Sequence, residues 1–296
     1  MTDMQGRAKA SSLALALTAM AKENPVHAGL IRSLGKLVLA RAELAESLPT
    51  PDPAPFMETD RARFLQGGPL LPLARLPLEL PWLSACAKGL APVLEQTFPK
   101  LAPAVSGLDK AFVSGRMHLK ARVTGFLVKG VPPPATVLAR VGSSPEAAAL
   151  YLGQIIKTLA QAVSAKVLTQ ADLAGWTKGY CPVCGSPPEL SYLEGKEGRR
   201  RLACSLCEAT WRFTRVACPC CGCDDPEKIE LIHVDGRLTE RAEACRECHR
   251  YVLGVDRRDS VREMIPALEP LGLLHLDVIA QERRYSPVSA EAAVLG

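Results

Sequence analysis

The 296 residues are 48% hydrophobic with a formal charge of +5, enough to bury a sizeable core and long for a single domain. No apolar run reaches the roughly eighteen residues that a membrane-spanning helix needs, so membrane insertion is not expected. The basic surplus lies in the first 175 residues, and the cysteine-rich stretch after them is neutral before any metal is counted.

Along the chain, Arg7 and Lys9 precede an apolar run, Leu13 to Ala21, that ends Ala19-Met20-Ala21 in the layout of a secretory signal. Export would oxidise closely paired thiols, so an amphipathic first helix in a reducing cytoplasm is expected instead. After Pro25, Leu30, Leu34, Leu37, Leu44 and Leu48 keep helical spacing, and Pro49 stops that helix in a proline-rich linker reaching Pro55. Prolines from 69 to 134 cut the middle into short helices and loops. Cys86, in an apolar helical stretch, is expected to be a buried small hydrophobe. Ser144-Pro145-Glu146 combines a capping hydroxyl, a first-turn proline and an acid at the positive helix end. The stripe Leu152, Ile155, Ile156, Leu159 and Val163 predicts that this helix runs to about Gln170.

Near Gly175 the apolar period changes from 3.6 to 2. Leu190 to Leu193 and Arg200 to Ala203 flank Gly195-Lys196-Glu197-Gly198 as a hairpin, and Trp211 and Phe213 alternate with polar neighbours as a further strand. Ile229, Leu231 and His233 alternate before Asp235-Gly236, which predicts a two-residue hairpin turn. Arg199-Arg200-Arg201 reads as a solvated hairpin edge or a partner contact. From Leu268 to Gln281 the pattern is helical again. The expected fold is α+β: an irregular helical domain over 1–175, a first four-thiolate ribbon over 176–216, a second over 217–259 and a C-terminal helical tail over 260–296.

Ten of the eleven cysteines fall between Tyr180 and Tyr251. Cys181/Cys184, Cys204/Cys207, Cys218/Cys221 and Cys245/Cys248 each have two residues between thiols, the spacing at which a tight turn aims both sulfurs at one ion. Joining neighbours gives two sets: Cys181, Cys184, Cys204 and Cys207, then Cys218, Cys221, Cys245 and Cys248. Each half repeats a Cys-Pro-x-Cys-Gly knuckle, a two-stranded excursion, a second knuckle and an aromatic residue, Trp211 or Tyr251, which reads as a tandem ribbon. Two metal ions per chain are expected, and sulfur chemistry alone accepts iron or zinc. Cys220 and Cys223 offer a competing frame of the same spacing that lacks the proline and the glycine. Cys245-Arg246-Glu247-Cys248-His249 also matches c-type haem attachment, but those thiols complete the second ribbon. No nucleophile with its base, phosphate loop or open metal position assembles here, so an enzyme is not expected. A neutral ribbon region also argues against nucleic acid.

Several words resemble the formate dehydrogenase accessory proteins called FdhE. They are Tyr180-Cys-Pro-Val-Cys-Gly-Ser-Pro-Pro188, Arg201-Leu-Ala-Cys-Ser-Leu-Cys-Glu208, Trp211, Arg215-Val-Ala-Cys218 and Ala242-Glu-Ala-Cys-Arg-Glu-Cys-His249. The chain departs from that pattern in having four cysteines, Cys218, Cys220, Cys221 and Cys223, where the family usually has one pair. The resemblance implies a cytoplasmic maturation factor that binds the catalytic subunit of formate dehydrogenase and is required for its activity. It also implies rubredoxin-like ribbons that hold iron. The competing reading is a nucleic-acid-binding zinc-ribbon protein, and the sequence gives no oligomeric state.

Overall fold

The computed structural model describes residues 10–258 and 264–291. Its helices are α1 Ala10–Glu23, α2 Ala28–Ser47, α3 Arg61–Gln66, α4 Leu80–Thr97, α5 Ala102–Val113, α6 Leu119–Lys129, α7 Ala135–Ala139 and α8 Pro145–Gln170. Strands β1 Pro188–Glu194, β2 Arg199–Cys204, β3 Thr210–Arg212, β4 Ile229–Ile232, β5 Glu240–Cys245 and β6 Arg250–Asp256 follow. The chain then forms α9 Glu269–Gly272, α10 Leu274–Glu282 and β7 Ser286–Pro287. It divides into two compact units: a helical one holding Leu73–Lys166 and the helices before Phe56, and a ribbon one holding Met57–Pro72 and the chain after Val167.

The helical unit follows its sequence signals closely. Residues 1–9, with the basic start of the signal-like segment, lie outside the described residues, while α1 buries Leu13, Leu17, Met20 and Ala21 as an ordinary amphipathic helix. Ser47 ends α2 just before Pro49, as expected from proline's effect on the residues before it. Ser144 Oγ accepts from the Ala147 amide at 3.3 Å, capping α8, whose stripe buries Leu152, Ile155 and Leu159 completely. Tyr151, also on α8, places its buried hydroxyl 2.6 Å from Asp109 Oδ1 of α5 and 2.9 Å from the Ala87 carbonyl of α4, two acceptors for its one proton.

In the ribbon unit both halves of the tandem build one sheet, in the order β3-β2-β1-β6-β5-β4, with β7 pairing one end of β6. Within each half the strands run antiparallel, and the halves meet where β1 pairs parallel to β6, Leu190 opposite Leu253 and Leu193 opposite Asp256. The first strand of one half therefore meets the third strand of the other, a head-to-tail joint. Strand alternation gives the sheet two unlike faces. Leu190, Tyr192, Ala242, Ala244, Tyr251 and Val255 point to one of them, where they bury against Leu276 and Ala280 of α10.

Two sequence readings are corrected here. The turn Val234 to Arg237 closes at 3.0 Å around Asp235-Gly236, but β4 stops at Ile232 and β5 starts at Glu240, so the connection is longer than two residues. Ladder bonds are replaced there: His233 Nδ1 meets the Glu240 carbonyl at 3.0 Å, and the Asp256 amide takes the Thr239 carbonyl at 2.7 Å. Arg200 and Arg201 are also no solvated edge, being only 5% and 3% exposed. Arg200 Nη2 bonds Glu243 of the other half at 2.5 Å, Nε takes Ser191 at 2.9 Å, and Nη1 takes the Thr214 and Ala217 carbonyls at 2.8 Å each. A guanidinium with all its neighbours supplied can be buried where a lone one cannot.

Candidate metal centres

Each cluster is assembled from two knuckles whose backbone forms before any ion is considered. In the first knuckle the Gly185 amide bonds the Cys181 carbonyl at 2.9 Å and the Cys181 amide bonds the Ser186 carbonyl at 2.8 Å. The same two bonds recur 37 residues later, Gly222 to Cys218 at 3.0 Å and Cys218 to Cys223 at 2.8 Å. Gly185 and Gly222 take φ of 82° and 77°, a left-handed turn that a side chain would strain. At the second knuckles Glu208 and His249 take that conformation at φ of 61° and 54°, so both ribbons also close alike at their far ends.

The turns bring the thiols together. Cys181, Cys184, Cys204 and Cys207 form one group and Cys218, Cys221, Cys245 and Cys248 another, each with its sulfurs within 4.8 Å of one another. Across the first group Cys181 Sγ lies 3.6 Å from Cys207 Sγ, and Cys184 Sγ lies 3.5 Å from Cys204 Sγ. The second shows 3.6 Å for Cys218 to Cys248 and 3.7 Å for Cys221 to Cys245. A tetrahedron with metal–sulfur bonds of about 2.3 Å has an edge of about 3.8 Å, so either group fits an ion that prefers four thiolates. Amides of Val183, Leu206 and Cys207 point at the Cys181 and Cys204 sulfurs at 3.4–3.5 Å, donors that steady thiolate charge.

Electrostatics give the same reading. Burial opposes ionisation of Cys181 and Cys204 and pushes both up. It opposes Cys184 too, but hydrogen bonds from Cys181, Cys204, Cys207 and Ser186 outweigh it and hold that thiol down. Crowded sulfurs thus share protons until a cation replaces them.

The two groups differ in exposure. All four thiols of the first are buried, whereas Cys221 of the second is exposed and Cys248 half-buried. Cys220, exposed, and Cys223, half-buried, stay out of the group: Cys223 stands where Ser186 does in the first ribbon, and Cys220 where the buried Val183 does.

The first knuckle also has a clamp from a remote part of the chain. Amides of Leu70 and Leu71 bond the Pro182 and Val183 carbonyls at 2.8 and 2.7 Å, and the Tyr180 hydroxyl reaches the Gly67 carbonyl at 2.9 Å. Phe64 of α3 packs on Trp176 at 4.8 Å, and Trp176 meets Tyr180 edge-on at 5.4 Å. Sequence reading left residues 57–72 among the short helices of the first half. The signals available were Asp60, whose side chain caps α3, and the turn residues Gly67-Gly68-Pro69, which mark an ordered excursion without naming its target.

Comparison with known proteins gives a consistent picture. Residues 180–215 match the family model described as FdhE, central domain. A protein FdhE homolog of Aquifex aeolicus is 27% identical over 231 residues, 77% of this chain and 75% of the relative. One of Rhizobium meliloti is 24% identical over 279 residues, 89% and 82% of the two chains. The crystal structure of the FdhE protein from Pseudomonas aeruginosa shares the fold, with a TM-score of 0.62 over 96% of this chain and 95% of that one at 21% identity.

Proposed function

The chain belongs to the FdhE family, and on that premise we propose that it is a non-catalytic, cytoplasmic accessory factor that binds the catalytic subunit of formate dehydrogenase and is needed for its activity. The observation that carries this is the pair of four-thiol clusters on one sheet. Each donor set supplies four ligands and so leaves no open position for a reacting molecule, which suits a scaffold or carrier better than a catalyst.

Cys181, Cys184, Cys204 and Cys207 would hold one ion, and Cys218, Cys221, Cys245 and Cys248 the other. Iron is the expected metal, with zinc as the alternative the same sulfurs accept. Such an ion supplies charge balance to buried thiolates and ties each pair of knuckles into one ribbon.

The test is a strain lacking its own factor, complemented with this chain and with cysteine variants. Anaerobically purified protein should carry two metals per chain, and Cys221→Ser should lower that content and weaken formate dehydrogenase activity, because an oxygen ligand holds soft metal poorly. Cys220→Ser and Cys223→Ser should keep both metals and near-normal activity. Full activity with every cluster variant would remove the metals from the function, and failure of the unaltered chain to complement would refute the accessory role.

A further inference from the structure

The sheet face opposite α10 carries a cavity of about 450 Å³, in the range of ligand pockets. Arg200, Arg215, Arg241, Arg250 and Arg258 contribute five guanidinium groups to its lining. Two carboxylates, Glu243 and Asp256, share that lining. Glu243 is shared by Arg200 at 2.5 Å and Arg241 at 2.8 Å, and Asp256 holds Arg258 at 2.6 Å. Arg215 Nη1 donates to the Glu197 and Gly198 carbonyls at 3.2 Å each, bonds that leave its charge uncancelled. Guanidinium groups therefore outnumber carboxylates in the lining, from the buried Arg200 and Arg241 out to the exposed Arg215 and Arg258.

Val216, Leu231 and Leu238 of the same lining are 42%, 52% and 76% exposed, three large apolar side chains at its rim beside the exposed arginines. Leu231 sits on β4, the last strand of the sheet, whose outer edge no other strand takes among the described residues. An open strand edge offers backbone pairing to an extended segment, and alternating side chains of that segment would then point into the cavity and over its rim. Guanidinium forks match carboxylates, and an apolar rim excludes water around them. A nucleic-acid backbone fits poorly, because Arg200 and Arg241 are buried and lie too deep to track phosphates.

We propose that this cavity docks an extended segment of a partner protein in which apolar residues flank a carboxylate, the acid entering among the arginines and the apolar residues covering Val216, Leu231 and Leu238. The proposal rests on the accessory reading only in taking the partner to be the client. Cys218 and Cys245 form part of the cavity wall, so a docked segment lies against the second cluster.

The test uses the full metal-loaded chain and two fluorescent probe peptides, one alternating leucine with glutamate and one with glutamine in its place. The glutamate peptide is expected to bind at least about tenfold tighter by anisotropy. Two variants altered at surface positions, Arg215→Glu with Arg258→Glu and Leu231→Ser with Leu238→Ser, should each lose that binding while metal content and circular dichroism stay unchanged. Equal binding of both peptides, or native binding by both variants, overturns the proposal. Displacement of the peptide by inorganic pyrophosphate or random duplex DNA at lower concentration also overturns it, since the site would then take phosphates. Capture of the formate dehydrogenase catalytic subunit separates the two readings. Capture by the native chain but by neither variant supports the docking site. Capture by all three overturns it and leaves the accessory role standing. Discriminating peptide binding without subunit capture supports the site and counts against that client alone.

Discussion

Glu243 shows at the scale of one residue how the two ribbons are locked. Burial opposes its ionisation, yet Arg200 and Arg241 outweigh burial and hold its carboxyl below the usual range. Glu243→Gln would leave the Arg200 charge buried with half its partner gone, and the expected cost is about 3–5 kcal/mol, read as a lowered urea midpoint. Cys86 makes the opposite case, a reactive group silenced. Burial pushes its thiol up to about 12, so at pH 8 it stays protonated in the folded chain. Iodoacetamide should alkylate the exposed Cys220 under native conditions and reach Cys86 only after denaturant is added, as peptide mapping would show. The fate of Cys86 was legible because burial follows from its apolar helical neighbours. That of Arg200 was not, because its partner lies 43 residues away and nothing beside a hairpin turn announces it.

Among the elements, the knuckles were legible and their supports were not. Thiol spacing and the glycine after the second cysteine are local signals, and they placed Cys218 with Cys221 rather than Cys220 with Cys223. The clamp from residues 57–72 reaches Tyr180 across 113 positions, and its bonds from Leu70 and Leu71 are backbone bonds that any residue types can make. Asp235-Gly236 gave the site of a turn but not its length, since His233 and Thr239 are spent on bonds outside the ladder. One close approach joins the two ribbons at their starts: a Cβ on Gly179 would stand 2.0 Å from the Pro219 carbonyl oxygen. Backbone cannot yield as a flexible side chain does, so Gly179→Ala should cost about 1–3 kcal/mol. Gly125 in α6 has nothing within 4 Å of its would-be Cβ, and there the same change should gain up to about 1 kcal/mol. Paired thermal melts of the two variants check both signs.

For the whole molecule, metal and core divide the labour. The helical unit buries long stripes such as Leu83, Leu90 and Leu94 of α4, each fully enclosed, and should not need an ion. The ribbon unit has one apolar face against α10, and its opposite face divides its area between a few apolar residues, such as Leu202, Trp211 and Val252, and the arginines and thiols. A strong chelator is therefore expected to abolish the near-ultraviolet signals of Trp176 and Trp211 while most of the helical circular dichroism survives. A single cooperative loss of both signals would refute that division. The succession of a helical half and a cysteine-rich half could be read from the change of period near Gly175. The parallel joint between β1 and β6 could not, because no local pattern encodes which strand of one repeat meets which strand of the next.

That joint gives the sheet the logic of a chain of links rather than of a closed pair. The outer edge of β3 is the counterpart of the β6 edge that β1 occupies, and the outer edge of β4 is the counterpart of the β1 edge that β6 occupies. In principle another molecule could add at either end, in the same register and without limit. Growth is blunted by β3 itself, which is only three residues long and ends on the exposed Arg212. Replacing Arg212 and Thr214 with valine would lengthen that edge and remove its charge. Light scattering should then reveal filaments at concentrations where the native chain gives none, and a still-monodisperse variant would show that some other feature closes the row.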